Sequence, residues 1–148
     1  MGISDILSEN MILADVEAEN KRQLLEKLSD FVSKQADLDK NSVFEAILER
    51  ENLGSTGYGA GVALPHARIN GMTKVVVTFA RVSTPVDYDA LDNKPVDLVA
   101  FLLSPENSGE DHLQSLAVIS RILNNEDVCQ EIRAAKTVHE IYLALNKK

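Results

Sequence analysis

The chain has 148 residues, 45% of them hydrophobic and 26% charged, a composition that builds a folded domain and excludes a disordered segment. Twenty-three acidic residues against fifteen Lys and Arg leave a net charge of -8, which repels nucleic acid and anionic membrane surfaces and favours a basic protein partner. The one cysteine, Cys129, excludes an intramolecular disulfide and a metal site of several thiolates, and reads as a small buried side chain.

Residues 20–35 set Leu24, Leu25, Leu28, Phe31 and Val32 on one helical face, with Lys21, Glu26, Lys27, Asp30 and Lys34 off it. A second helix is predicted over about 41–52, with Ser42 and Glu45 spaced as a capping box, Arg50 in the last turn and Gly54 as the stop. Val62 to Leu64 form a short strand closed by Pro65, and the β-branched run 74–82 forms a longer one. Thr84 to Pro95 has the prolines and acidic residues of a loop, and Val96 to Leu103 is a strand apolar enough to be covered on both faces.

After a turn over Glu106 to Gly109, with Asn107 and Ser108 as possible caps, Leu113, Leu116, Ala117, Ser120 and Leu123 recur at helical spacing. This puts His112 in the first turn of a helix. Two short helices follow at about 126–135 and 137–145, the second opened by Thr137 and Glu140 in capping-box spacing. Helices and strands without a regular βαβ rhythm predict a single α/β domain over 1–148: a sandwich with a mixed β-sheet flanked by helices on both faces. No apolar run is long enough to span a bilayer and no secretory leader opens the chain, so a cytoplasmic protein is expected.

The most unusual stretch is 50–68, where Gly54, Gly57, Gly59 and Gly61 alternate with Ser55, Thr56 and Tyr58 and the run ends in Pro65, His66, Ala67 and Arg68. Such glycines suit either a loop of tight turns or a cradle whose backbone NH groups converge on an anion. A helix precedes them and a strand follows, the reverse of a dinucleotide fingerprint, and the Lys of a P-loop is missing, so ATP and NAD are not implied.

His66 has the chemistry of a nucleophile, because neutral imidazole keeps a lone pair near neutral pH; otherwise it is a polar residue at a strand end. Phosphoryl transfer asks mainly for alignment and for stabilisation of charge on the equatorial oxygens, a task that Arg50, Ser55, Thr56 and the loop NH groups suit. Arg50 also suits the helix dipole, and His112 is either a solvated residue at a helix start or a neutral imidazole that donates one hydrogen bond. His139 has no polar cluster in its sequence neighbourhood and is given no role. A metal-dependent hydrolase using His66, His112 and Asp111 lacks the spacing of zinc motifs, and a pure interaction module is the third class of reading.

At Arg50-Glu51, Gly54-Ser55-Thr56-Gly57, Gly61-Val62-Ala63-Leu64-Pro65-His66 and Asp111-His112-Leu113-Gln114 the chain closely resembles the type-2 IIA domains of the bacterial phosphoenolpyruvate-dependent phosphotransferase system. This is the fructose, mannitol and nitrogen-regulatory class, and the likeness runs over about residues 3–145. It implies a mixed sheet between helices and a phosphoryl group accepted on Nε2 of His66 from HPr or a nitrogen-branch HPr paralogue. It also implies support from His112 and Arg50, and no metal or organic cofactor, while Ser55, Thr56 and Gly57 are expected at the phosphate from their residue types.

Ala90 to Leu98 looks most like the nitrogen-regulatory subtype. That implies a freestanding regulator acting on target proteins, often in potassium transport or nitrogen metabolism. The alternative within the family is a fructose or mannitol component that passes phosphate to a IIB domain. Tyr58 departs from the family, where a small aliphatic residue is usual, and a hydrogen bond from it near the site is one expectation.

Overall fold

The computed structural model describes residues 2–147; Met1 and Lys148, the outermost residues of the expected domain, lie outside it. After two single turns of 3-10 helix the chain forms strand β1 (Ile12–Val16) and then helices α1 (Lys21–Ala36) and α2 (Lys40–Asn52). Next come β2 (Gly57–Gly59), β3 (Val62–Ala63), β4 (His66–Ile69), β5 (Val76–Val86) and β6 (Val96–Pro105). Helices α3 (Glu110–Leu123), α4 (Glu126–Ala134) and α5 (Val138–Leu145) close the fold.

The six strands make one mixed sheet in the order β1-β5-β6-β3-β2, with β4 continuing on the same edge of β6 that β3 occupies. β5 runs antiparallel to β6, β1 runs parallel to β5, and β3 and β4 run parallel to β6. Every side chain of β6 from Leu98 to Ser104 is buried. Successive strand residues face opposite sides of the sheet, so helices must cover both. α1 packs on β5 and α2, α2 on β4, α3 on β6, and α5 on β1.

The expected α1 stripe is the one that is buried: Leu24, Leu25, Leu28 and Val32 have no exposed surface, while Phe31 sits at the margin. Its cap is Asn20, whose side chain accepts from the amide of Gln23. In α2 the expected Ser42 to Glu45 capping box is replaced by Asp39, whose carboxylate takes both the amide and the hydroxyl of Ser42. An acidic side chain at that position also complements the helix dipole. α3 opens on Gly109 at φ 45 without a side-chain cap, and Ser108 turns back to donate to the carbonyl of Pro105. Thr137 caps α5 through the amide of Glu140, as its spacing predicts.

Three strands escape sequence reasoning. β1 is a short outer strand interrupted at Asp15, which takes a left-handed φ of 59. β2 and β4 are the two flanks of the glycine segment, too short and too polar to show a period of two. β5 also continues past the expected 74–82 run to Val86, with its register against β6 shifting after Arg81. Pro85 lies in this extension, beyond the last pairing of β5 with β1, where a missing NH costs no ladder bond to that neighbour. Arg81 itself ties the sheet to α4, donating through Nη1 to the carbonyls of Ile132 at 2.8 Å and Ala135 at 2.6 Å.

Candidate phosphoryl-acceptor site

Pro65 separates β3 from β4 along one edge of β6, and the break sets the position of the histidine. Pro65 accepts from the amide of Leu102 at 2.9 Å while having no NH of its own to give, and β4 resumes at His66 in register with Leu102. The chain turns enough there for the His66 ring to fold back on the backbone. Its Nδ1 lies 2.8 Å from the carbonyl oxygen of Leu64. A carbonyl only accepts, so Nδ1 carries the proton and Nε2 holds the free lone pair.

His112 comes from the first turn of α3 and is 6% exposed. Its Nδ1 is hydrogen-bonded to the hydroxyl of Ser104 near the end of β6. The two imidazole rings stand 5.6 Å apart between centroids, tilted by 56°. Burial, then the Arg68 guanidinium and the neighbouring His66 ring, push the His112 pKa down to about 4. The positive end of α3 acts in the same direction. His66 is lowered as well, first by burial and then by Arg50 and Arg68, against the opposing effect of the Leu64 carbonyl and Glu51. Both rings are therefore neutral at pH 7.

The last turn of α2 supplies Arg50, whose Nη1 donates to the carbonyl of Gly54 at 2.9 Å. Arg50, His66 and His112 line one open depression of about 450 Å³, together with Glu49, Leu53 and Arg68. The three side chains that sequence reasoning singled out thus meet in space, although the first and last stand 62 positions apart in the chain.

Ser55, Thr56 and Gly57 do not line that depression. Ser55 donates to the carbonyl of Tyr88 at 2.9 Å and accepts from the amide of Gly57 at 3.1 Å. Thr56 gives both its amide, at 3.0 Å, and its hydroxyl to the carboxylate of Glu51. Glu51 is buried and is also reached by Lys21 at 2.9 Å and the Tyr88 hydroxyl at 3.2 Å. Lys21 in turn stands 4.5 Å over the Tyr88 ring. A Cβ on Gly57 would come within 2.9 Å of that ring, so glycine is required there for close approach. The segment's polar groups face inward, binding α1, α2 and the 87–95 loop into one rigid unit behind Arg50 and His66.

Tyr58 also departs from expectation. Its hydroxyl is buried with no hydrogen-bond partner, and it lines a separate cleft with Cys129 and Arg133 rather than the histidine depression. Cys129 is buried as expected, and His139 pairs with Glu9 at 2.6 Å on the exposed surface. Among the described residues no three His, Cys, Asp or Glu side chains are grouped to hold a metal, so Asp111 does not complete a ligand set with the two histidines. No helix of the described residues is long and apolar enough to cross a membrane.

Sequence reasoning missed Arg68, Ser104 and the Glu51–Tyr88 pair. Arg68 follows His66 by two positions, the spacing that puts two residues on one face of a strand, and that signal was present once β4 is recognised. Ser104 is the hydroxyl at the end of an otherwise apolar run. Nothing local marks Glu51 or Tyr88 as partners, since they stand 37 positions apart.

A mixed sheet between helices, with two histidines and an arginine gathered in one depression at its edge, defines the class of α/β sandwich domain to which the chain belongs. The chain belongs to the family described as phosphoenolpyruvate-dependent sugar phosphotransferase system, EIIA 2, whose model matches residues 5–148. It is similar to the nitrogen regulatory protein of Bradyrhizobium diazoefficiens, 38% identical over 145 residues that cover 98% of this chain and 95% of that one. The crystal structure of nitrogen regulatory protein IIA-Ntr from Neisseria meningitidis superposes with a TM-score of 0.91 at 34% identity, covering 97% of this chain and 98% of the other. The fructose-specific EIIABC component of Bacillus subtilis is 30% identical over 148 residues, 99% of this chain but 23% of that protein. Phosphotransferase-system phosphocarrier function of the EIIA kind follows from this membership.

Proposed function

We propose that Nε2 of His66 accepts a phosphoryl group from the phosphohistidine of HPr or a nitrogen-branch HPr paralogue, and that the resulting change of charge regulates partner proteins. The observation that carries this reading is the Nδ1–H bond of His66 to the Leu64 carbonyl. It leaves Nε2 as the one nitrogen able to attack, and it holds the ring before any donor arrives. As the new N–P bond forms, the donor's N–P bond breaks and its electron pair returns to the donor imidazole. The His66 ring then carries positive charge, and the carbonyl that accepts from Nδ1 stabilises it.

Arg50 meets the equatorial oxygens with those guanidinium donors not held by Gly54. His112 stays neutral, and with the Ser104 hydroxyl donating to Nδ1 its Nε2–H is free to donate to a phosphoryl oxygen. Ser55, Thr56 and Gly57 contribute by shaping the segment behind Arg50 rather than by touching phosphate. The chemistry so described uses neither a metal nor an organic cofactor, and its setting is the cytoplasm, where HPr-type carriers act.

Similarity to nitrogen regulatory proteins supports a regulatory role, and the targets this reading proposes lie in nitrogen metabolism or potassium transport. Phosphorylation adds negative charge and strong acceptor oxygens to a depression that otherwise presents two guanidinium cations, so target binding should differ between the two states. The likeness to a fructose-specific EIIABC component favours a second reading, in which the phosphate passes on to a sugar-specific IIB domain.

Intact-mass analysis after incubation with phosphoenolpyruvate, enzyme I and HPr or its nitrogen-branch paralogue tests the acceptor. One acid-labile phosphate on the original chain and none on His66→Ala is expected. An original chain that takes up no phosphate from either carrier would remove this reading and leave an interaction module in its place. Transfer onward to an isolated IIB domain would favour the fructose-type role.

A further inference from the structure

We propose that Arg68 is a second phosphoryl-binding cation, contacting the group on His66 from the strand side while Arg50 contacts it from the helix side. The inference rests on the acceptor reading of His66. Arg68 lies on β4 two residues beyond His66, and it stands in register with Ser104, the residue that holds His112. In a parallel pair, registered residues share a face, and alternate residues along a strand return to it. His66, Arg68 and Ser104 therefore occupy one face, and Arg68 lines the same depression as both imidazoles.

Arg68 is exposed, and among the described residues no hydrogen bond or ion pair engages its guanidinium. The other arginines named here have structural duties: Arg81 caps α4, Arg133 is paired with Asp97, and one arm of Arg50 is held by Gly54. An arginine with neither a packing role nor a partner, beside the reacting histidine, is available for an incoming anion.

The charge balance of the depression calls for such a group. Before transfer it holds the two guanidinium cations and the carboxylate of Glu49, since both histidines are neutral. Phosphorylation brings close to two negative charges. With Arg50 alone, those charges and Glu49 would be met only by one guanidinium and the positive charge of the phosphorylated ring itself, in a chain whose net charge is -8. Arg68 adds a further cation, and its electrostatic influence on both rings shows that its field reaches them.

Arg68 could also serve only to dock an acidic carrier, and a donor with no protein surface separates the two roles. Phosphoramidate transfers its phosphoryl group to imidazole as the P–N bond breaks and ammonia leaves with the electron pair. The full chain, Arg68→Gln, Arg68→Lys and His66→Ala are each followed by intact mass with phosphoramidate and, separately, with phosphorylated HPr. Arg68→Gln is expected to slow phosphorylation about tenfold with both donors, below the hundredfold or more of a water-excluded oxyanion contact because this site is open to solvent. Arg68→Lys is expected to restore most of the rate. Far-UV circular dichroism checks that the exposed substitutions leave the fold intact.

Equal rates for Arg68→Gln and the original chain, a defect seen with the protein donor only, or no recovery in Arg68→Lys would each overturn the proposal. If the original chain takes phosphate from neither donor, or His66→Ala still takes it, the acceptor reading itself falls and this inference with it.

Discussion

The imidazoles of His66 and His112 stand 5.6 Å apart, and each is tied at Nδ1 to a different strand segment, His66 to the carbonyl of Leu64 between β3 and β4 and His112 to the hydroxyl of Ser104 on β6. The pair is thus oriented by backbone and sheet rather than by each other. A rigid, uncharged pair of rings is suited to receive a dianion, because neither must lose a proton before the reaction begins.

The pH dependence follows from the lowered histidines. In the folded chain His112 protonates near pH 4, against about 6.5 when unfolded, and His66 is shifted in the same direction. Between those values the unfolded state binds more protons, so stability present above about pH 6.5 is lost as pH falls toward 4. Urea midpoints measured in steps from pH 7 to 4 should decline over that window. In His112→Gln the decline should be smaller. An NMR titration should find the His112 midpoint near 4 and the phosphorylation rate flat from pH 8 to about 6.5.

The Glu51 network should matter to stability more than its surface position in sequence suggests. Glu51 accepts from Thr56, Tyr88 and Lys21 while buried, so Glu51→Ala leaves a backbone amide, two hydroxyls and an ammonium without their acceptor. A loss of about 2–3 kcal/mol is expected, against about 1 kcal/mol for Tyr88→Phe, which removes one donor and leaves the carboxylate paired. Denaturant unfolding of both variants measures this. Glu51→Ala should also slow phosphorylation, since the loop that receives Arg50 loses its anchor.

Tyr58→Phe should be neutral or stabilising, within about 1 kcal/mol, and should leave phosphorylation unchanged. The hydroxyl is buried without a partner, so its removal costs no hydrogen bond and ends a desolvation penalty. The same burial pushes its pKa up to about 12. A slower transfer in Tyr58→Phe would instead connect this cleft to the histidine depression.

Much of this protein was legible in the order of its residues. The stripes of α1 and of the last two helices, and the apolar runs of β5 and β6, appear because burial imposes periods of 3.6 and 2 on contiguous residues. The acceptor candidate was equally visible, since a histidine after Pro65 at the end of a glycine-rich segment is unusual in itself.

Tertiary structure decided what depends on residues far apart in the chain. Short strands β1, β2 and β4 owe their existence to neighbours in the sheet, so no local pattern announces them. Ser55 and Thr56 have the side chains of anion ligands, yet the fold turns them to Tyr88 and Glu51, because a buried carboxylate must find donors and these were nearest. Arg68 shows the converse: given no role in the sequence reading, it lines the histidine depression because strand alternation returns it to the face of His66 and the β6 register sets it beside Ser104. Residue types in the sequence supplied the chemistry, while sheet pairing and burial determined which of them gather around His66.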